Sequence, residues 1–386
     1  MASSKVYVIS CPDYGHAEGA VRELICRMGG MERFVRPGER IFLKVNLLAA
    51  ARPEQAITVH PAVAAAVGRL AVEAGAQVVL GDSPGGAYKE GILRGVYEKC
   101  GMAHAAREAG MELNYDVSGR QVSYPEGRLM KHMELIAPAV ECDGILNLCK
   151  MKTHLFMHMT GAVKNLFGLI PGLSKVGFHA NLPDKGQFAH MLLDLAGCAR
   201  PRLNLMDAVL AMEGEGPGTS GTPRQVGLLL AAEDPLALDV AAAEIMGLPR
   251  ANNPLLLAAE ERGLSPSRIG DVEIVGAALD DLRIPDYRFP AHVSSNLIGT
   301  FLGPLTGPAA HLCKSALAQA PKVDAAVCVK CGICRQSCPA QAISMSGPAG
   351  VARIDPKRCI RCYCCHELCP RQAVRLKKGL LSRLLG

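Results

Sequence analysis

Short apolar runs alternate with amphipathic stretches over the first 280 residues, in an order typical of an α/β domain. The apolar runs predict three early strands, at residues 5–10, 41–48 and 77–80. Between them, residues 18–28 have the spacing of a helix, and residues 61–74 begin with proline and end before Gly75, as helices do. Because strand, helix and strand follow one another, we predict a parallel sheet with right-handed crossovers.

The same rhythm continues to about residue 280 and then stops. Further strands are predicted at residues 144–148, 203–207, 226–231 and 272–275. A helix is predicted at residues 235–246, where Gly247 would end it. The following stretch is rich in proline and glycine, so we predict a connecting segment there.

Beyond the connecting segment, one cysteine pattern occurs twice, 31 residues apart. Each copy reads C-x-x-C-x-x-C-x-x-x-C-P, which is the run that binds two [4Fe–4S] clusters in bacterial ferredoxins, with the fourth cysteine ligating the other cluster. Zinc needs only four ligands and has no use for eight cysteines in this pattern. We therefore expect one cluster on Cys328, Cys331, Cys334 and Cys369, and the other on Cys359, Cys362, Cys365 and Cys338.

The other cysteines have no motif spacing. The chain has 16 cysteines, and most of the eight outside the two motifs are expected to be small core residues, although a third metal site built from them stays open. Cys364 lies inside the second motif but off its register, and we expect a spare buried thiol there in preference to a ligand.

Composition and charge limit the classes of function. The 386 residues are 49% hydrophobic and 20% charged, as in globular proteins, and the formal charge of +6, without a basic stripe interleaved with aromatics, argues against nucleic-acid binding. No apolar run is long enough to span a membrane. The first residues do not resemble a secretory signal, so the cysteine content suggests a reducing cytoplasm and metal ligation instead of disulfides.

These features predict four parts. We expect an α/β domain with a mostly parallel sheet and flanking helices, followed by a small α+β ferredoxin-like iron–sulfur domain. The predicted boundaries are 1–285 for the α/β domain, 286–322 for the connecting segment, 323–376 for the ferredoxin-like domain and 377–386 for a basic tail. The tail is either a docking element or a frayed helix.

A dense group of polar residues follows the predicted strand at 144–148. It predicts binding residues Lys150, Lys152, Thr153 and Asn165, and catalytic residues His154, Lys164 and His179. No carboxylate occurs in this stretch before Asp184, so the cations would gather at the carboxyl end of a strand, where anions bind in α/β sheets. The alternative is a solvated basic loop with incidental histidines.

Weaker candidates lie at the ends of two other strands. Lys44 and Asn46 are polar positions within an apolar run, and Asp82 and Ser83 directly follow a predicted strand. These residues either line a cleft or bond within the core. The chain has neither G-x-G-x-x-G after its first strand nor a P-loop motif, so dinucleotide or nucleoside-triphosphate binding has no motif support.

Six segments resemble the family of domains of unknown function 362. They are LKVNLL (43–48), ITVHPAVAAAVGRL (57–70), VVLGDSP (78–84), KMKTHLFMHMTGAVKNLFGLIPG (150–172), MDAVLAMEGEGPGTSG (206–221) and EDPLALDVAAAEIMG (233–247). The most specific part is K-x-K-T-H followed by T-G-A-V-K-N. The resemblance implies a pocket near this part and a fused two-cluster ferredoxin module, but no reaction.

A fainter resemblance points to the lactate racemase family. It rests on Arg52-Pro53 before a helix that begins at His60-Pro61. Members of that family use a nickel pincer nucleotide attached to a lysine. The likeness concerns the fold alone, and the cysteine motifs depart from that family.

Three functions are compatible with these patterns. The preferred one is an iron–sulfur oxidoreductase of anaerobic metabolism, whose fused module passes low-potential electrons from a redox partner to an anionic substrate or cofactor. The second is a non-catalytic electron carrier or assembly protein that docks on a redox complex. The third is a non-redox, racemase-like or transfer enzyme with structural clusters. The substrate and any second cofactor remain open.

Overall fold

The computed structural model describes residues 4–172, 174–182, 184–290, 320–346 and 350–377. Most of the predicted connecting segment, including Cys313, and nearly all of the predicted basic tail lie outside these residues. Within the described part of the chain, no helix is long and apolar enough to cross a bilayer.

The described strands belong to one large sheet and three small ones. Their bounds are β1 Ser4–Ser10, β2 Arg40–Lys44, β3 Gln77–Gly81, β4 Glu112–Leu113, β5 Gly119–Ser123, β6 His132–Ile136, β7 Gly144–His154, β8 His158–Thr160, β9 Leu203–Gly214, β10 Gly221–Ala232, β11 Val272–Val275, β12 Ala320–Val323, β13 Ile343–Met345, β14 Ala352–Ile354 and β15 Val374–Lys377.

The large sheet has the strand order β11-β1-β10-β9-β7-β2-β3-β4, and β8 pairs with β7 off this path. Only β10 and β8 run against the other described strands of this sheet, so the sheet is mostly parallel, as predicted. Because parallel neighbours end at the same edge, the carboxyl ends of β2, β3 and β7 lie side by side.

Helices cover both faces of the large sheet. The described helices of the α/β part are α1 Ala17–Arg27, α2 Pro61–Glu73, α3 Glu90–Lys99, α4 Met102–Glu108, α5 Ala137–Glu141, α6 Ala162–Asn165, α7 Ser174–Asn181, α8 Lys185–Ala199, α9 Pro235–Met246, α10 Pro254–Glu261 and α11 Leu279–Leu282. Strand β2 shows the two layers: Ile41 and Leu43 pack with α1 and α2, whereas Phe42 packs on the other side with α8 and α9.

Several strands differ in length from their predictions: β9 continues seven residues beyond the predicted 203–207, and β10 begins five residues before the predicted 226–231. Strand β7 continues six residues beyond the predicted 144–148, because Cys149 and Met151 keep packing into the core while the polar residues between them find partners inside the protein. Strand β2 ends at Lys44, four residues earlier than the predicted 41–48. The basic stretch after residue 148 is therefore a buried strand, and it is not a solvated loop.

The cysteine-rich part folds as a small α+β module with an internal repeat. It contains the helices α12 Ile333–Gln336 and α13 Cys364–Glu367, and the strand pairs β12–β15 and β13–β14. Backbone conformations recur at the 31-residue spacing: φ is 60° at Lys330 and 57° at Arg361, and 48° at Gln341 and 55° at Gln372. The two halves thus share one loop geometry.

This module packs against the carboxyl edge of the large sheet. Thr219, in the β9–β10 connection, donates a hydrogen bond of 3.2 Å to the carbonyl of Cys369 and accepts one from Gln372. Gly85 follows β3 and lies so close that an added Cβ atom would be 2.4 Å from Leu368 Cδ2. The two domains therefore meet where the strands of the sheet end.

A buried carboxylate anchors the β5–β6 hairpin to α8. Asp194 is fully buried and accepts backbone hydrogen bonds from Arg128, Leu129 and Met130 at 2.9, 2.7 and 2.9 Å, and it pairs with Arg262. These donors have no other partner of comparable geometry once the carboxylate is removed. Asp194 therefore holds the loop that joins two strands.

We expect Asp194→Ala to destabilise the full-length protein by about 3 kcal/mol, since three backbone N–H groups and the Arg262 guanidinium would lose their acceptor. For a domain of this size, the loss corresponds to a fall of roughly 5 °C in the midpoint of thermal unfolding, followed by circular dichroism. The control is Asp280→Ala, at a carboxylate that is 85% exposed and pairs only with Arg283. Equal midpoints for the two variants would contradict this role of Asp194.

Candidate functional site

A cavity of about 870 Å³, measured to its open mouth, lies at the carboxyl ends of β2, β3 and β7. Helices α6 and α7 form one wall and α13 of the cysteine-rich module forms another. The polar and charged side chains in its lining are those of Asn46, Asp82, Ser83, Lys150, Lys152, His154, Thr160, Lys164, Asn165, Lys175, His179, Cys364 and Glu367.

Two buried ion pairs form the floor of the cavity. Lys44 Nζ lies 2.9 Å from Asp82 Oδ1, and Lys150 Nζ lies 2.8 Å from Asp207 Oδ2. Tyr14 completes the second pair, because its hydroxyl accepts a bond of 2.9 Å from Lys150. Since both amines are already neutralised, neither is available to hold a charged ligand.

Three further lysines have no carboxylate within ion-pairing distance among the described residues. Lys152 donates to Asn46 Oδ1 and the Ile57 carbonyl at 2.7 and 2.6 Å, and Lys175 donates to the carbonyl and hydroxyl of Ser83 at 2.6 and 2.8 Å. Lys164 Nζ has no hydrogen-bond partner in the described part of the chain. Among the described residues, the charge of these three amines is therefore not balanced by a close ion pair.

Burial shifts these amines towards neutrality. It lowers the pKa of Lys152 to about 7, and the nearby Lys164 and Lys150 cations lower it further. Burial also lowers the pKa of Lys175 to about 7, with Asp82 opposing the change and Lys44 and Lys164 reinforcing it. An anion in the cavity would favour the charged amines and would in turn be bound more tightly by them.

The two predicted catalytic histidines are held as neutral rings. His154 Nδ1 accepts hydrogen bonds of 3.0 and 3.1 Å from the backbone N–H groups of Phe156 and Met157, so its proton is on Nε2. Burial, followed by the charge of Lys164, holds its pKa well below the ordinary value. Burial lowers the pKa of His179 to about 3 within a ring of phenylalanines. Both histidines therefore suit hydrogen bonding to a ligand better than donation of a proton.

Helix α6 places Lys164 and Asn165 by means of close backbone packing. Asp239 accepts bonds of 2.5 and 3.1 Å from the N–H groups of Ala162 and Val163. An added Cβ atom on Gly161 would lie 2.0 Å from Asp239 Oδ1, which explains glycine at this position. Asn165 reaches the Asn147 side chain of β7 at 2.7 Å. These contacts fix the start of the helix against the sheet.

The eight motif cysteines converge on two small cavities in the module. One is lined by Cys328, Cys331, Cys334 and Cys369, and the other by Cys338, Cys359, Cys362 and Cys365. The backbone N–H groups of Ala342 and Ala373 donate to Cys338 Sγ and Cys369 Sγ at 3.1 and 3.2 Å, at equivalent positions of the repeat. No group of three or more ligating side chains in the described residues is placed to hold a single metal ion. These residues fit two [4Fe–4S] cubes, each with four thiolates and an apolar surround.

The structure brings most of the predicted pocket residues together. Asn46, Asp82, Ser83, Lys150, Lys152, His154, Lys164, Asn165 and His179 line the cavity, although 133 residues separate the first from the last. Lys44 lies beneath the wall in its ion pair with Asp82. Thr153 points elsewhere and donates to the Gly214 carbonyl at 2.8 Å. These two predicted binding residues therefore do not reach a ligand.

Four polar cavity residues were not among the predicted site residues: Thr160, Lys175, Cys364 and Glu367. Lys175 belongs to the same basic stretch, so its charge could have included it. Glu367 and Cys364 come from the second cysteine motif, where Cys364 was expected to be a spare thiol. The sequence signal for Glu367 and Cys364 was a difference between the two copies of the motif. The equivalent residues of the first copy are Gln336 and Ile333.

Comparison with known proteins identifies both parts of the chain. Residues 41–244 match the family described as a domain of unknown function (DUF362), and residues 327–373 match the 4Fe-4S dicluster domain. The dicluster domain supports iron–sulfur electron transfer.

One relative and one solved structure can be placed beside the chain. "Thylakoid-associated protein sll1697" of Synechocystis sp. (strain ATCC 27184 / PCC 6803 / Kazusa) is 37% identical over 254 residues, which make up 66% of this chain and 77% of that protein. The lactate racemase apoprotein from Thermoanaerobacterium thermosaccharolyticum is 12% identical with a TM-score of 0.41, and the match covers 64% of this chain and 57% of that structure.

Adjacent cysteines provide a test of the cluster ligands. We expect Cys365→Ser to reduce the iron of anaerobically reconstituted protein from about eight to about four atoms per chain, because one cube loses a thiolate. Cys364→Ser is the matched control and should keep about eight, since its thiol faces the large cavity. Loss of iron in both variants would show that Cys364 contributes to cluster binding.

The lowered lysine pKa values predict pH-dependent anion binding. Sulfate keeps its charge between pH 6 and 8, so a change in its Kd reports on the protein. The amines of Lys152 and Lys175 are charged below about pH 7 and neutral above it, and we expect the Kd to rise about tenfold or more from pH 6 to pH 8. Isothermal titration calorimetry measures this change. The double variant Lys152→Met, Lys175→Met should show a flatter profile, and a flat profile in the unmodified protein would contradict the prediction.

Proposed function

This chain belongs to the DUF362 family and ends in a 4Fe-4S dicluster domain, and from this premise we propose that it is an iron–sulfur oxidoreductase that reduces an anionic substrate or cofactor. The observation that carries the proposal is the position of α13: this helix contains a cluster cysteine, Cys365, and also forms a wall of the cavity through Cys364 and Glu367. Electron carrier and ligand site share one helical turn.

The charges of the cavity support an anionic ligand. Lys152, Lys164 and Lys175 have no carboxylate within ion-pairing distance among the described residues, whereas the two lysines of the floor are paired. Desolvating an amine is costly unless an opposite charge or good hydrogen bonds replace the water. A carboxylate or phosphate group in the cavity would supply that charge.

The chain's own residues would bind and orient this ligand. Lys164, which lacks a hydrogen-bond partner among the described residues, is placed to bind the anionic group directly, while His154 offers its Nε2–H as a fixed donor. The amines of Lys152 and Lys175, with pKa values near 7, are the groups in the cavity best suited to exchange a proton during reduction at neutral pH. When bound, [4Fe–4S] clusters supply single electrons at low potential.

The cavity also separates this function from the alternatives. A pure electron carrier or assembly protein would not need a deep site with unbalanced cations next to its iron–sulfur module. A racemase-like enzyme with structural clusters would not need the module to form part of the ligand site. Neither alternative is favoured by a specific feature of the described residues.

The proposal predicts reoxidation of the reduced protein by suitable anions. Full-length protein, reconstituted without oxygen and reduced with dithionite, would be freed of reductant and mixed with carboxylates and phosphate esters that also carry a reducible group, such as a carbonyl or a conjugated double bond, while its absorbance is followed. We expect some of these compounds to reoxidise the protein, and the double variant Lys152→Met, Lys164→Met to react at least about tenfold more slowly, because it loses two charge-assisted contacts.

The control is Lys5→Met, at an exposed lysine of β1 that pairs with Glu273. Iron content should be the same in all three proteins, because none of these lysines is a cluster ligand. If the double variant is reoxidised as fast as the unmodified protein, the electrons leave by a route that does not involve the cavity. The electron-carrier hypothesis then replaces this one.

A further inference from the structure

The two halves of the cysteine-rich module differ where the second half meets the cavity. Helix α13 has Glu367 where α12 has Gln336, and Leu368 follows it where Ser337 follows α12. Gln336 is exposed to solvent, whereas Glu367 lines the cavity. The repeat is thus kept at the cluster cysteines and changed on the surface that faces the ligand site.

One oxygen of the Glu367 carboxylate, Oε1, is buried without a hydrogen-bond donor among the described residues. The side chain of Glu367 is 10% exposed. The nearest polar atom in an ion-pair contact is His154 Nε2, at 3.5 Å, which is too long for a strong bond. A buried carboxylate oxygen normally has a hydrogen-bond partner, so this one is available to a donor on a bound ligand.

A carboxylate in this position opposes the binding of a simple anion. It lies in the same cavity as Lys152, Lys164 and Lys175, so it would reduce their attraction for a ligand that carries only negative charge. Its presence is favourable, however, if the ligand also offers an O–H group that the carboxylate can accept. The lysines would then select for charge, and Glu367 would select for a hydroxyl.

We propose that Glu367 is a specificity-determining residue, supplied by the iron–sulfur module, that accepts a hydrogen bond from an oxyanion carrying its own hydroxyl group. This inference rests on the proposed function, because it takes the lysine-lined cavity to be the anion site. It adds the class of ligand: the anion must contain both a charged oxygen for the lysines and an O–H donor for Glu367.

Phosphate and sulfate test this inference, because they have the same shape and differ in one proton. At pH 8, phosphate is mostly a dianion with one P–OH group, whereas sulfate has no donor. In full-length reconstituted protein, we expect Glu367→Ala to raise the Kd for phosphate by about tenfold or more, through loss of a charge-assisted hydrogen bond. The Kd for sulfate should stay the same or fall, because a repulsive charge is removed.

Two further variants accompany Glu367→Ala in the calorimetric titrations. Glu367→Gln keeps an acceptor oxygen without the charge and should give an intermediate Kd for phosphate. Because glutamine has nearly the size of glutamate, this variant also tests the role of Glu367 if alanine disturbs the helix. Gln336→Ala is the matched control at the equivalent position of the repeat and should change neither Kd. Iron content, measured for each protein, reports whether the module is intact.

The outcomes separate this inference from the proposed function. A higher Kd for phosphate alone supports the role of Glu367. Equal changes in the Kd values for phosphate and sulfate, in both Glu367→Ala and Glu367→Gln, would overturn this role and leave the anion site in place. Binding of neither anion by the unmodified protein would overturn the anion site itself, and with it both proposals.

Discussion

The structure depends on how five lysines at one edge of a sheet, three of them buried and two partly buried, are partnered. Two of them, Lys44 and Lys150, are paired with Asp82 and Asp207 and form a rigid floor. The other three have only neutral hydrogen-bond partners or none among the described residues. Because an unpaired amine is costly inside a protein, the three lysines without an ion pair are the feature on which the proposed anion site rests.

The fold creates this cavity by bringing strand ends together. In a mostly parallel sheet, β2, β3 and β7 end at the same edge, and the unusually long β7 carries its charged residues past the hydrophobic core. The short α6 and its Asp239 contact bring Lys164 over the same edge. The cysteine-rich module then closes one side through Cys364, Glu367 and Leu368, so that both domains line the cavity.

The internal repeat of the module shows how one structure serves two purposes. The cysteines and their loop conformations are duplicated, which is what two similar cubes require. The surface of α13, by contrast, has diverged from that of α12 and contributes Cys364 and Glu367 to the ligand site. Neighbouring residues of α13 thus have different positions: Cys365 faces a predicted cluster, whereas Cys364 and Glu367 line the large cavity.

The sequence by itself determined the main strands of the large sheet, three of its helices, the two cysteine motifs and most of the residues of the basic cavity. Hydrophobic period and cysteine spacing are local properties, so they can be read without knowing the fold. Only the tertiary structure decided that Thr153 turns away from the cavity, that Lys150 is neutralised by Asp207, and that Glu367 reaches His154 from 213 positions along the chain. Such pairings arise when distant segments pack together, and no local pattern records them.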